Sequence, residues 1–288
     1  MQASLLTNLL LPLALGIIML GLGLGLTLDD FRRVARYPRA VLIGLALQTL
    51  VLPWAAFGLA LGFGLPAELA VGLMLLAASP GGATANIYSH LARGDVALNI
   101  TLTAINSLLC LLTLPVILNL SLEYFLGAGQ YVPPPTKKVV EVAAIILLPV
   151  AIGMLLRAKA PGFAARAEKP IRLLSVLVLA LLVVAAVAQE WKTLTTYFAI
   201  VGLACLLFNL ASMGAGYAAP LALRLPKKQA IAIAMEIGIH NGTLAIFIAL
   251  NVLQNATISV PAAVYSLLMF VTAAVFAWWV SRGTRETN

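Results

Sequence analysis

The sequence predicts an all-α, polytopic membrane protein with about nine transmembrane helices, built as an inverted repeat with two crossed, discontinuous helices. The first reason is composition: of 288 residues, 62% are hydrophobic and only 10% are charged, whereas a water-soluble globule needs more polar cover. The second reason is the presence of about nine apolar runs of roughly 20 residues, the length that crosses a bilayer core as a helix. The third is that two of these runs contain polar side chains next to proline or glycine, which weaken a helix.

The predicted spans follow one another with mostly short connections. They are Leu5–Leu26, Ala40–Phe63, Glu68–Leu91, Val96–Leu122, Lys138–Leu156, Ile171–Ala188, Tyr197–Ala219, Gln229–Leu250 and Val260–Val280. A net charge of +8 could suggest a nucleic-acid partner, but the basic residues lie in the connections, where orientation in a membrane accounts for them. We therefore expect a lipid bilayer as the partner, and no nucleic acid.

The basic residues are divided unequally between the two sides of the predicted membrane. With the N-terminus outside, the inward-facing segments hold Arg32, Arg33, Arg36, Arg39, Arg93, Arg157, Lys159, Arg166, Lys169, Arg172, Arg224, Lys227, Lys228, Arg282 and Arg285. Only Lys137, Lys138 and Lys192 face the outside. This asymmetry predicts an odd number of spans in the cell (inner) membrane, with the N-terminus outside and the C-terminus cytoplasmic.

Several features along the chain carry structural expectations. The first span ends in Gly21-Leu22-Gly23-Leu24-Gly25, a surface on which a neighbouring helix can approach closely. The charged stretch 29–39 is expected to form a cytoplasmic turn, as a solvated interfacial helix. Gln48 in the second span could either bind a ligand or hold helices together. The segment 157–169 is expected to be a long inside connection between the two halves.

The third span contains Ser79-Pro80-Gly81-Gly82-Ala83-Thr84-Ala85-Asn86. Proline removes a backbone donor and the two glycines loosen the chain, so this helix is expected to break near its centre. A matching pattern surrounds the eighth span: Leu65-Pro66 ends 14 residues before Pro80, and Leu225-Pro226 ends 14 residues before His240. Equivalent elements would enter the membrane from opposite sides, which predicts an inverted repeat.

Polar side chains gather in the fourth and eighth spans. Asn99, Thr103 and Asn106 are spaced by four and three residues, so they share one helical face. In the eighth span, Glu236 precedes Gly238-Ile239-His240-Asn241-Gly242, a sequence that favours a broken helix lining a polar cavity. Glu236 is the one acid deep within an apolar run. At that depth it is expected to bind a cation or to hold a proton.

These residue types favour a cation close to an anion. The oxygens of Gln48, Asn86, Asn99 and Thr103 suit a dehydrated sodium ion beside Glu236; the alternative is a protonated Glu236 that only holds helices together. His240 could accept a hydrogen bond, supply a positive charge or simply pack. Beyond each break, a half-helix N-terminus favours an anionic substrate group. Thr84, Asn86, Asn241 and Thr243 could bind that group, although each could instead cap its own half-helix.

A longer pattern joins these residues. Gly16-Ile17-Ile18-Met19 with Gly25-Leu26-Thr27-Leu28, Pro80-Gly81-Gly82 through Asn86, Leu91 through Leu98, and Glu236 through Asn241 occur in order along nearly the whole chain. Together they resemble the bile acid:sodium symporter family, as in bacterial homologues of the apical sodium-dependent bile acid transporter. The resemblance implies a core domain, residues 40–122 and 197–281, that contains the crossed helices. A panel domain, residues 5–26 and 138–188, would move against it in alternating access.

The resemblance also implies two sodium sites. The first would use Asn86, Thr103 and Glu236, with Asn99 and Ala85 standing where the family has serines. The second would use Gln48, Glu236 and the carbonyls of Ile237 and Ile239, with His240 in place of a family glutamine. Asn241 matches the asparagine at the crossing that resembles a substrate contact.

The sequence thus predicts a secondary active transporter that couples sodium to the symport of an organic anion, bile-acid-like, pantoate-like or another small carboxylate. Alternatives are a proton-coupled carrier using Glu236 and His240, and a channel. An enzyme is not expected, because Ser79 and His90 lie on opposite sides of the break. No cofactor is expected beyond sodium as coupling ion and no other metal, since Cys110 and Cys205 suit small buried hydrophobes. A monomer is the simplest oligomeric state.

Overall fold

The computed structural model describes residues 11–82, 84–127, 136–189 and 191–282, which are helical apart from short turns. The α-helices are α1 (Leu11–Gly25), α2 (Leu28–Arg32), α3 (Pro38–Ala46), α4 (Leu52–Gly62), α5 (Ala67–Ala78), α6 (Thr84–Leu91), α7 (Val96–Leu126), α8 (Thr136–Lys159), α9 (Pro161–Gln189), α10 (Trp191–Ala222), α11 (Lys227–Gly238), α12 (Gly242–Phe247) and α13 (Val260–Arg282). A π-helical turn, Leu47–Val51, joins α3 to α4, and a second one, Ile248–Val252, continues α12.

Both predicted helix breaks are present, and they meet. The chain is extended at Ser79, with φ −73° and ψ 142°, between α5 and α6, because Pro80 cannot donate to a continuing helix. It leaves the helix again at Ile239, between α11 and α12. The N–H of Gly82 bonds to the carbonyl of Ile239 at 2.7 Å, and the N–H of Asn241 bonds to that of Pro80 at 2.8 Å. This antiparallel pair, which we call the crossing, joins residues 80–82 to residues 239–241.

Matching backbone flanks the two breaks. Gly64 and Arg224 both take left-handed backbone, at φ 56° and 61°, and each precedes a Leu-Pro pair and a helix of 12 residues, α5 or α11. The connections leading into α7 and α13 also contain a left-handed residue, Arg93 and Gln254. The sequence repeat is therefore a repeat of backbone as well. That its two copies run in opposite senses across the bilayer stays a prediction.

The outer surface identifies a membrane protein. Large apolar side chains such as Leu112, Leu181 and Val271 are exposed, which suits contact with lipid. In the described part of the chain, four helical stretches are long and apolar enough to cross a membrane: Pro38–Gly62, Val96–Leu126, Thr195–Ala222 and Thr257–Arg282. Shorter apolar helices include the pieces that end or begin at the breaks. The total of nine spans and the division into core and panel domains remain predictions.

Two charged connections differ in part from what the sequence predicts. Segment 157–169 is helical apart from one residue between α8 and α9, because Pro161 at the first position of α9 fits a helix start. The turn at 29–39 is not fully solvated, since Asp30 is buried. The Asp30 carboxylate accepts from the N–H of Thr27 at 2.6 Å and from Arg33 Nη1 at 2.5 Å, so it caps α2 and neutralises a cation.

The glycine-rich end of α1 packs tightly on α8, as its sequence predicts. A Cβ built on Gly23 would collide with the backbone of Val150. One built on Gly153 of α8 would lie 2.6 Å from the carbonyl oxygen of Leu20. The two helices therefore touch backbone to backbone, which only glycine permits at these positions.

Candidate ion and substrate site

Glu236 lies near the C-terminal end of α11, just before the crossing, and is completely buried. Its Oε2 accepts a hydrogen bond from Thr103 Oγ1 at 2.5 Å, and its Oε1 accepts one from Asn106 Nδ2 at 3.2 Å. The backbone of Gly81 lies directly against the carboxylate. The carboxylate is thus held by α7 on one side and by the first break on the other, as the shared face of Thr103 and Asn106 predicts.

Gly81 is what lets the carboxylate reach the crossing. A Cβ built on Gly81 would overlap the carboxylate of Glu236. Any side chain at this position would therefore move Glu236 or open the antiparallel pair between Gly81 and His240. The glycine serves close approach as well as breaking the helix.

Five buried amide oxygens around the crossing have no hydrogen-bond partner among the described residues: Gln48 Oε1, Asn86 Oδ1, Asn99 Oδ1, Asn106 Oδ1 and Asn209 Oδ1. The amide nitrogens of Gln48, Asn99 and Asn106 are all engaged as donors, to backbone carbonyls or to Glu236. An unsatisfied buried acceptor costs about 1–3 kcal/mol. Oxygens of this type, beside a carboxylate, are the ligands that hard cations accept. These oxygens are therefore available as ligands for a hard cation, and sodium binding at the predicted residues stays a prediction.

Three residues of the second predicted sodium site, Gln48, Ile237 and Ile239, differ in the contacts that they make. Gln48 donates to the carbonyls of Ala77 and Ser79, at 3.1 and 3.0 Å. It lines a small cavity of about 10 Å³ together with Asn106, which is roughly the room of one water or small ion. Ile237 is buried in α11. The carbonyl of Ile239 accepts a hydrogen bond from the N–H of Gly82 within the crossing.

The ring of His240 has partners that sequence reasoning missed. His240 Nδ1 lies 3.2 Å from the hydroxyl of Tyr265, and the ring also packs against Phe208. Tyr265 and Asn209 both donate to the carbonyl of Gly238, each at 2.8 Å. A tyrosine inside an apolar span is the signal that could have revealed this cluster, since tyrosine usually lies at membrane interfaces.

A cavity of about 360 Å³ adjoins the crossing. Thr84, Asn86, Asn241 and Thr243, the residues predicted to contact substrate, all line it. The amide oxygen of Asn241 accepts from the N–H of Leu244 at 3.1 Å, so it caps α12, and only the amide nitrogen is left to donate to a ligand. Most of the other lining side chains are apolar and come from α1, α6, α7 and α13.

An apolar helical shell around two broken helices, with a polar crossing that opens to a cavity, defines the class of the protein: a membrane transporter. The sequence model of the sodium bile acid symporter family matches residues 12–197, and the chain belongs to this family. The family and the relatives are transporters, not enzymes.

Three relatives show the range of the similarity. The uncharacterized sodium-dependent transporter YocS of Bacillus subtilis is 30% identical over 94% of this chain and 83% of its own length. The probable chloroplastic sodium/metabolite cotransporter BASS2 of rice is 29% identical over 95% of this chain and 64% of its own length. The P3 protein of mouse is 30% identical over 78% of this chain and 47% of its own length.

Proposed function

We propose that this protein is a sodium-coupled symporter that imports a small organic anion across the inner membrane by alternating access. The observation that carries the proposal is the buried Glu236 carboxylate, which is bonded to Asn106, a residue with an unsatisfied amide oxygen. The carboxylate also lies against Gly81 of the crossing, which adjoins a cavity lined by Asn86 and Asn241. The printed names of two relatives, a sodium-dependent transporter and a sodium/metabolite cotransporter, support sodium as the coupling ion.

Sodium would bind at the first predicted set, Asn86, Asn99, Thr103 and Glu236. The carboxylate supplies the charge, and the amide oxygens of Asn86 and Asn99 are unsatisfied acceptors. The neighbours that reach Glu236 are donors, which suits an ionised carboxylate. A second ion would use Gln48, Glu236 and the carbonyls of Ile237 and Ile239, near the ring of His240.

The anionic group of the substrate would bind at the polar end of the large cavity. Thr84 begins α6, and the helical segment after the second break extends from Gly242 to Val252, so both half-helices present N-terminal N–H groups there. Asn86, Asn241 and Thr243 add side-chain donors. Residues 40–122 and 197–281 would form the core that carries both sites, and residues 5–26 and 138–188 the panel.

Proton coupling through Glu236 and His240 is the second candidate, because both side chains are buried and Glu236 could carry a proton instead of a sodium ion. The experiment uses purified protein in proteoliposomes, with uptake of labelled carboxylates driven by an imposed sodium gradient or by an imposed proton gradient. We expect saturable accumulation that requires sodium. Accumulation driven by protons alone would establish the second candidate, and flux that needs neither gradient would indicate a channel.

A further inference from the structure

A group of basic side chains surrounds the start of α11. Lys227 and Lys228 form its first turn, and Arg224 precedes it in a left-handed turn at φ 61°. Arg39, near the start of α3, donates from Nη2 to the carbonyl of Leu223 at 3.3 Å, which brings it beside Arg224. The starts of α3 and α11 therefore lie at the same end of the molecule.

One further cation joins this group from the connection that leads into α7. The N–H of Asp95 bonds to the carbonyl of Lys228 at 2.9 Å, so Arg93, two residues before Asp95, lies close to the same turn. The carboxylate of Asp95 accepts from the N–H of Leu98 at 3.0 Å, where it caps α7. We call the five cations the basic patch: Arg39, Arg93, Arg224, Lys227 and Lys228.

The charge of the basic patch is not neutralised by ion pairs within the described ranges. The ion pairs found there belong to Arg32, Arg33 and Arg157, which lie outside the patch. The side chains of the patch are exposed, apart from that of Lys227, which is half-buried. Because like charges repel one another, a cluster of this kind is stabilised by a bound anion.

Apolar side chains border the basic patch on the side of α10. Leu221 and Leu223 are 37% and 49% exposed, directly before Arg224. Tyr217, one turn before Leu221, packs its ring against Trp279 of α13 with the centroids 5.7 Å apart, and Trp279 is itself exposed. Exposed tryptophan and leucine next to cations are typical of helix ends at a bilayer surface. An anion that fits this border has an apolar part as well as a negative charge.

We propose that the basic patch binds the headgroup of an anionic phospholipid, whose acyl chains lie along the exposed apolar surface of α10. The lipid phosphate accepts hydrogen bonds from arginine and lysine, and clustered cations at the end of membrane helices attract anionic lipids. Leu221 and Leu223 contact the chains, which free phosphate lacks. The site requires only that this end of the helices reaches the membrane surface, so it does not depend on transport or on the coupling ion.

Diffuse attraction is the alternative to a site. Any basic connection lowers the energy of a membrane protein near an anionic surface. Attraction of that kind depends on how many cations are removed, whereas a site depends on which ones are removed. Lys159 at the end of α8 and Lys192 near the start of α10 are exposed lysines outside the patch. Replacing both changes the net charge as much as replacing two residues of the patch.

The test titrates the purified full-length protein, in a neutral detergent, with dioleoylphosphatidylglycerol or dioleoylphosphatidylcholine, and follows the melting temperature. Phosphatidylglycerol should raise the melting temperature of the wild type until the site is saturated, and phosphatidylcholine should not. Each cation near a lipid headgroup contributes about fivefold in affinity. Arg224→Gln combined with Lys228→Gln should therefore raise the half-saturating concentration of phosphatidylglycerol about thirtyfold. Both side chains are exposed, so the variant should fold, and its melting temperature without lipid checks this.

The matched control is Lys159→Gln combined with Lys192→Gln, which should change the half-saturating concentration by less than about twofold, because distant charges are screened. An equal loss in the control and the patch variant, or no loss in the patch variant, would overturn the inference. So would a wild type that phosphatidylcholine stabilises as much as phosphatidylglycerol does. Inorganic phosphate should give no shift at the same concentrations, and a shift of equal size would assign the patch to a soluble anion instead.

Discussion

The sharpest prediction concerns Glu236→Gln, which removes one buried charge with little change of shape. In the native protein, Thr103 Oγ1 has two acceptors, Glu236 Oε2 at 2.5 Å and the carbonyl of Asn99 at 3.0 Å. In the variant, Thr103 can donate to Asn99 and accept from the new amide nitrogen, while the remaining oxygen still faces Asn106. The hydrogen bonds can therefore be kept, so we expect the variant to fold.

Sodium binding should nevertheless be lost. At an effective dielectric of about 20, a unit charge 4 Å from a cation contributes ~4 kcal/mol, so loss of at least about a hundredfold in affinity is a conservative expectation. Sodium at a hundredfold excess over Kd stabilises the wild type by about 2.7 kcal/mol. The same sodium concentration would stabilise the variant by about 0.4 kcal/mol. At about 2–4 °C per kcal/mol, the wild type should gain roughly 5–11 °C in melting temperature and the variant less than about 2 °C.

The assay is the melting temperature of the purified protein over a sodium series, with potassium or choline keeping the ionic strength constant, at two pH values. Glu123→Gln is the matched control, because it removes a carboxylate of the same type from an exposed site. It should respond to sodium as the wild type does. Size-exclusion chromatography of each variant checks that the fold is intact.

A folded Glu236→Gln variant that retains the full sodium response would refute the assignment of the ion site. If the wild type responds to pH and not to sodium, the reasoning about the coupling ion fails, and the carrier coupled to protons through Glu236 becomes the better explanation. A response to every monovalent cation alike would mean that the rise reports ionic strength rather than a site.

Three other substitutions have defined outcomes. His240→Gln should raise the affinity for sodium, because glutamine offers an oxygen ligand where imidazole offers none. The measurement is the sodium concentration at half-maximal thermal shift, which should fall. An unchanged concentration would place His240 outside the ligand shell of the ion. Gly81→Ala should remove the sodium shift and cost about 1–3 kcal/mol of stability, since its Cβ overlaps the carboxylate of Glu236; wild-type melting behaviour would contradict this. Gly242→Ala should lower the stability by a similar amount, because its Cβ would collide with Ser266 Oγ. Adding Ser266→Ala should recover most of the lost stability. A double variant no more stable than the single one would show that the strain lies elsewhere.

Local chemistry made part of this site predictable. Proline and adjacent glycines interrupt a helix wherever it packs, so the breaks at 79–82 and 239–241 could be located from the chain alone. The spacing of Thr103 and Asn106 fixes a common face on any helix, and both contact Glu236. Asn106 belongs to the predicted polar face but not to the predicted set of sodium ligands.

The other contacts of the site depend on which helix faces pack together in three dimensions. Nothing in the spacing within α10 or α13 shows that Asn209 and Tyr265 reach the same carbonyl, that of Gly238. The burial of Asp30 likewise follows from tertiary packing, since the hydroxyl of Thr101 in α7 donates to its carbonyl at 2.9 Å. Sequence periodicity describes one helix at a time, and pairings of this kind join residues that are far apart in the chain.

The crossing described above is held by main-chain atoms, through the bonds of Gly82 to Ile239 and of Asn241 to Pro80. A cation bound at Glu236 and an anion bound at Asn241 would both act on the few residues of the crossing. Binding of one ion could therefore change the affinity of the protein for the other without direct contact between the two. Because no side chain makes these bonds, the only substitution that removes one of their donors is proline, which has no backbone N–H. The side chains that contact the ion and the anion could therefore be exchanged while the main-chain link that would couple the two sites is kept.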